Sequence, residues 1–238
     1  MTGIIITIEG SDGSGKKTQT KNIVELAKSK GYLIETKSFP QDDKFWGKLV
    51  RYHLSGAVGD LDSIDPKDSS RLYAFDRLSV QEEIKQWLAE DKNIILDRYM
   101  ESNFGHQGGK FKKLQERVDM IGWIYDLEVN QLKIKPSDYI VYLDLPVEWS
   151  QEAMKKEGRK KDIHESNVEY LVRVQDTYRM LCKSNEDWIK IDCLKRSERI
   201  PEKELTEVIW NNIEPLLVKN NCSMHTSFSR NLLDHFGE

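Results

Sequence analysis

Three cysteines in 238 residues (Cys182, Cys193 and Cys222) are too few, too scattered and odd in number to frame a disulfide scaffold. A reduced intracellular compartment, the cytoplasm, is the expectation. No apolar run approaches the ~20 residues needed to cross a bilayer. The opening stretch to Ile8 has no basic leader and no small-residue cleavage site, so it reads as a buried strand rather than an export signal. Neither charge is in excess: 36 Lys+Arg stand against 40 Asp+Glu, net −4, which removes the broad positive field of a duplex-binding protein. HExxH, GxSxG, NKxD and CxxC are all missing, and His53, His106 and His164 share no metal-ligand spacing. There is no internal repeat and no Pro/Gly/Ser-rich linker. One domain over 1–218 is expected, with 219–238 as an appendage of weak apolar pattern.

Short β-branched apolar runs alternate with longer segments of helical period. The expected strands are Ile4–Ile8, Tyr32–Phe39, Asn93–Asp97, Tyr139–Leu145 and Trp188–Asp192. The first, third and fourth are almost wholly apolar, as strands covered on both faces are. The spacing predicts helices over Lys16–Lys30, Asp68–Asp91, Leu114–Leu132, Pro146–Glu157, Glu165–Lys183 and Glu202–Val218. Strands separated by helices point to βαβ units, hence an α/β fold with a parallel sheet.

The strongest chemical signal is Gly10-Ser11-Asp12-Gly13-Ser14-Gly15-Lys16, placed between a buried strand and a helix. Glycines let successive N–H groups turn into one concavity, the following helix adds unpaired donors, and Lys16 supplies a point charge for phosphates. The spacing does not fit the dinucleotide fingerprint GxGxxG. A Ser or Thr should follow Lys16 to ligate Mg²⁺, but Lys17 stands there and Thr18 comes one step, about 100° of helix, later. The metal is then held differently, or Lys17 adds positive charge, or the loop is degenerate and non-catalytic.

A second constellation is Asp97-Arg98 at the end of an apolar strand, the edge where parallel sheets bind ligands. An acid there can hold Mg²⁺ and an arginine fork can take a phosphate; a strand-end ion pair is the alternative. The third is the basic segment Lys155, Lys156, Arg159, Lys160, Lys161, read as a closing lid against the alternative of a solvated face.

With these pieces go Phe39-Pro40, Leu72-Tyr73-Ala74-Phe75-Asp76-Arg77, Ser102-Asn103 and Ile191-Asp192, in order from Gly3 to about Leu217. Together they resemble the thymidylate kinases, P-loop nucleoside monophosphate kinases. The resemblance implies a P-loop NTPase-type five-stranded parallel sheet flanked by helices, with a small basic lid at about 154–165. It implies ATP-dependent phosphorylation of dTMP to dTDP, with Mg²⁺ as cofactor. Gly10, Ser11, Gly13, Ser14, Gly15, Lys16, Lys17 and Thr18 would bind ATP. Asp12 would lie near the sugar 3′-hydroxyl and help position phosphate and metal, Arg98 would grip the dTMP phosphate, and Arg159 or a neighbouring lysine would close over the transferring group. Phe39 and Pro40 would line the acceptor pocket, Tyr73 would stack on thymine, and Arg77 and Asn103 would read base edges. His106 falls where some members crowd the 2′ side with Tyr. Asp97 and Glu165 would serve the metal together with Asp12, and helix Leu114–Leu132 would supply a homodimer face. Three places depart from the pattern: Gly13 replaces the basic loop residue of some members, Lys17 replaces the hydroxyl residue, though some members also carry a basic residue there, and Gln41-Asp42-Asp43 stands where Arg or Arg-Tyr is usual. Rival readings are the same fold acting on another nucleoside monophosphate or a deoxynucleoside, and a nucleotide binder without turnover. No nucleic-acid or membrane partner is expected.

Overall fold

The computed structural model describes residues 3–60, 63–157 and 167–219. Five parallel strands form the sheet: β1 (Ile5–Gly10), β2 (Ile34–Ser38), β3 (Asn93–Asp97), β4 (Tyr139–Asp144) and β5 (Trp188–Asp192), in the order β2-β3-β1-β4-β5. β1 is thus central, and its register on β3 pairs Ile8 with Asp97, so the ends of both strands emerge side by side.

The alternation of side chains along these strands divides the core in two. Ile5, Ile94, Leu96, Ile140 and Tyr142 face one apolar cluster; Ile6, Ile8, Ile95, Val141 and Leu143 face another. The second is covered by α1 (Lys16–Ser29) and α9 (Glu202–Lys219), which present Ile23, Ala27, Ile209 and Ile213. The first lies under α4 (Gln81–Ala89), α5 (Met100–Gly108), α6 (Leu114–Tyr125) and α8 (Val168–Ser184). Covering both faces accounts for the near-continuous apolar runs of β1, β3 and β4. The remaining elements are α2 (Phe45–Leu54), α3 (Pro66–Leu78), α7 (Val147–Glu157) and an antiparallel pair, β6 (Leu194–Lys195) with β7 (Glu198–Arg199).

All five expected strands are present, two with the expected ends; β1 runs on to Gly10 and β2 is the shorter Ile34–Ser38. The expected helix Asp68–Asp91 is instead two, α3 and α4. Ser79 Oγ and Gln41 Nε2 both donate to the Asp76 carbonyl, at 2.7 and 3.1 Å, so side chains satisfy the helix end and the chain turns at Val80. The expected helix Leu114–Leu132 leaves α-geometry after Tyr125 for a π-helical turn, Asp126–Gln131. Two helices were not foreseen. α5 carries glycines because α8 packs against it: a Cβ on Gly105 would lie 2.4 Å from Tyr178 Cζ. In α2 the buried residues are confined to Gly47, Val50, His53 and Leu54. Most of the lid segment (158–166) and of the appendage (220–238), with the expected site residues Arg159 and Glu165, lies outside the described residues.

Candidate active site

At the carboxyl end of the sheet, where β1 and β3 finish together, a cavity of about 930 Å³ opens. The loop after β1 forms its floor. Gly10 has φ 155°, and a Cβ there would meet the Leu143 carbonyl at 2.9 Å; Gly13 has φ 77° and packs against Ser150 of α7. Ser150 Oγ holds the loop from the side, donating to the Asp12 carbonyl at 2.6 Å. Lys16 is buried and folds back over the loop, its Nζ donating to the Ser11 carbonyl at 2.9 Å and lying 3.3 Å from Asp12 Oδ1. Burial and the nearby Arg98 charge lower its pKa. Asp12, Gly13, Ser14, Gly15, Lys17 and Thr18 line the cavity with it. Ser11 borders a smaller adjoining hollow shared with Asp12 and His106, and Gly10 lies beneath as the last residue of β1.

Arg98 joins this loop to the end of β3. Its backbone is in the left-handed region, φ 64°, a conformation that costs a non-glycine residue roughly 1–3 kcal/mol and persists only where the surroundings impose it. The guanidinium lies 2.6 Å from Asp12 Oδ1 and 3.8 Å from Glu9 Oε2, and it donates to Ser102 Oγ at 3.4 Å. Burial opposes the Arg98 charge, but the two carboxylates outweigh it and raise the pKa. Asp12 is held well below the ordinary carboxylate value: burial works against ionisation, and Arg98 and Lys16 overcome it. Glu9, wholly buried, accepts from the Tyr99 amide at 3.1 Å, from Ser102 Oγ at 2.7 Å and from Tyr178 Oη at 3.1 Å. Asp97 is nearly buried, lines the cavity and accepts from Ser38 Oγ at 3.3 Å.

One end of the cavity combines aromatic rings with polar side chains. Phe39 and Pro40, joined by a cis peptide, line it with the half-buried Tyr73. Arg77, 2% exposed, forms a fork with Glu128 at 2.7 and 2.6 Å and also donates to the Tyr99 carbonyl at 3.3 Å. Asn103, which also lines the cavity, donates through Nδ2 to Glu128 Oε1 at 2.9 Å and to the Ser70 carbonyl at 3.2 Å. Gln107 also lines the cavity, fully buried, and neither atom of its amide has a hydrogen-bond partner among the described residues. Tyr170 Oη donates to the His106 carbonyl at 3.0 Å, so the 3.0 Å contact with His106 Nδ1 has the ring N–H as donor. Burial and the Arg98 cation push the His106 pKa down to about 3, so the ring is neutral. Gln41 bonds Asp76, while Asp42 pairs with Arg51 of α2 at 2.6 Å; Asp42 and Arg51 both line the cavity.

The other end runs past Lys17 and Thr18 to Arg199, Ile200, Pro201 and Leu205. The structure thus brings into one cavity every expected site residue it describes, apart from Gly10 and Ser11 just below it. Sequence reasoning missed Glu128, Gln107, Arg51 and Arg199. Glu128 was hidden because an acid beside an apolar stripe reads as a surface residue, and its partner Arg77 lies 51 residues earlier in the chain.

Among the described residues no group of three or more His, Cys, Asp or Glu gathers as a metal cage, and no helix is long and apolar enough to cross a membrane. The Asp97 carboxylate in the cavity nonetheless fits a Mg²⁺ ion that keeps its waters and takes further ligands from phosphates.

A family model described as thymidylate kinase matches residues 8–203. A probable thymidylate kinase of Thermococcus gammatolerans is 34% identical over 186 residues, covering 76% of this chain and 84% of that protein. The thymidylate kinase of Legionella pneumophila is 29% identical over 214 residues, covering 90% and 97%. The solved structure of Candida albicans thymidylate kinase shares the fold, with TM-score 0.68 at 21% identity over 95% of this chain and 96% of that one.

Proposed function

The chain belongs to the thymidylate kinase family, and from that premise we propose how its cavity divides the work of moving a phosphoryl group. The enzyme transfers the γ-phosphoryl group of ATP to dTMP, giving dTDP and ADP. The protein has little covalent work in such a transfer; it aligns acceptor oxygen and phosphorus, offsets charge and excludes water.

In our reading, the loop amides and Lys16 hold the donor phosphates while Arg98, fixed by Asp12 and Glu9, grips the phosphate of dTMP. One observation carries this: the phosphate-type loop and Arg98 meet at 2.6 Å through Asp12 in one cavity. The base lies at the Phe39–Pro40 end, against Tyr73. Arg77 is a donor held in a fixed plane by Glu128, Asn103 Oδ1 an acceptor, and the uncommitted Gln107 amide takes a remaining polar edge. The neutral His106 packs beside the sugar. Mg²⁺ would be held by Asp97, with Asp12 beside it, and when bound it offsets charge on the phosphates. Arg51, half exposed and paired with Asp42, adds a cation at the acceptor end where Gln41-Asp42-Asp43 carries none.

We also propose that the enzyme is cytoplasmic and homodimeric. The free Cys182 and Cys193 suit a reducing compartment. Trp123 of α6 is only partly buried, with Lys67 and Arg71 of α3 each 5.2 Å over its ring; light scattering that finds only a monomer would refute the dimer. ADP release over a panel of dTMP, dUMP, dCMP and thymidine tests the function. Turnover should be highest with dTMP and need its phosphate; a preference for dCMP or thymidine would refute the base and phosphate assignments.

A further inference from the structure

The β6–β7 hairpin stands apart from the main sheet, yet it carries a guanidinium to the phosphate loop. Arg199 lies opposite Leu194 in the hairpin, and its Nη2 donates to the Gly13 carbonyl. The same atom is 3.8 Å from the point where a side chain on Gly15 would begin, and Arg199 lines the cavity beside Lys17. The hairpin is fastened in that place. Cys193 N donates to the Asp144 carbonyl and Ile200 N to the Cys193 carbonyl, each at 3.0 Å. α1, which the loop itself opens into, is tied to the start of α9 through Gln19 Nε2 and the Glu202 carbonyl at 3.0 Å.

The electrostatics single this arginine out. Lys16 and Arg98 are both answered by Asp12, and Arg98 also by Glu9. Arg199 is exposed and, among the described residues, has no carboxylate within ion-pair distance; a lone carbonyl holds it. An arginine fork that is uncompensated, exposed and set against a phosphate-binding loop matches a polyphosphate chain. We propose that Arg199 is a donor-binding residue whose guanidinium contacts the phosphate chain of ATP from the outer rim of the loop, adding a cation beside Gly13. This rests on the phosphotransfer reading above.

The test is equilibrium binding by the full chain of ATP, ADP, adenosine and dTMP to R199Q, R199A and R199K, with thermal midpoints measured in parallel. Gln keeps a polar amide but is two atoms shorter and carries no charge; Lys keeps the charge. R199Q and R199A should weaken ATP and ADP binding about tenfold, the scale of one charged hydrogen bond. R199K should recover most of the loss, and dTMP affinity, adenosine affinity and midpoint should stay at wild-type values. ATP affinity unchanged in R199Q would overturn the assignment. So would equal losses for ATP, adenosine and dTMP, which would make Arg199 a brace for the loop. If the wild-type protein itself bound no ATP, the phosphotransfer reading would fall and this proposal with it.

Discussion

Arg77 and Glu128 form a closed ion pair at 2.6 Å, 2% and 0% exposed, between α3 and the π-helical turn that follows α6. Removing one member of such a pair strands a charge in the interior. Glu128→Ala should cost about 3–5 kcal/mol, read by denaturant unfolding. The double replacement Arg77→Met with Glu128→Leu should regain most of that stability but not dTMP affinity. Full dTMP affinity in the double variant would show that Arg77 serves the core and not the base.

Glu101 gives a pH signature. It is 3% exposed, and its Oε2 has no hydrogen-bond partner among the described residues. Burial, reinforced by the charge of Glu9, pushes its pKa up to about 8 from 4.5. Because the folded value is the higher, the unfolded chain loses its proton first as pH rises. The associated stability is full below about pH 4.5 and is lost between there and about pH 8, on the order of 3–5 kcal/mol in all. Glu101→Gln should flatten that decline and be the more stable protein at pH 8. Parallel stability curves for the two proteins would refute it.

Gly105 tests how α5 is seated. An added methyl 2.4 Å from Tyr178 Cζ must displace a ring that stacks on Tyr142 at 4.8 Å and donates to Glu9. Gly105→Ala should destabilise by about 1–3 kcal/mol. It should also lower turnover, since Glu9 then loses a partner beside Arg98. Calorimetry together with kcat checks both.

Much of this was legible in the chain. The five strands and the loop through Lys16 declare themselves because a doubly covered parallel strand must be apolar throughout, and a phosphate cradle must be glycine-rich. What escaped depends on contacts distant in sequence. α5 reads as weak because its glycines are explained only by distant neighbours, Gly105 by Tyr178 of α8 and Gly108 by Arg117 of α6 and Thr177 of α8. The break at Ser79 depends on Gln41, 38 residues earlier. Glu128 looks like a surface acid because its partner Arg77 lies 51 residues earlier. Arg199 belongs to two short strands with little apolar pattern, turned by Arg196 and Ser197 at φ 51° and 61° without the glycine that usually marks such a turn.

Lys16 bears on the donor. Lys16→Ala removes the buried cation that folds back on the Ser11 carbonyl and should lower kcat about 10²–10³-fold. Loss confined to dTMP binding would move Lys16 from the donor to the acceptor side.

The proposed transfer of a phosphoryl group from ATP to dTMP in this cavity has a direct spectroscopic signature. Phosphorus NMR of a mixture of the protein, Mg²⁺, ATP and dTMP tests it most directly. The dTDP and ADP resonances should grow together, in equal amounts, and should not appear with Lys16→Ala over the same interval. Both nucleotides bound while their spectra stay unchanged would contradict it.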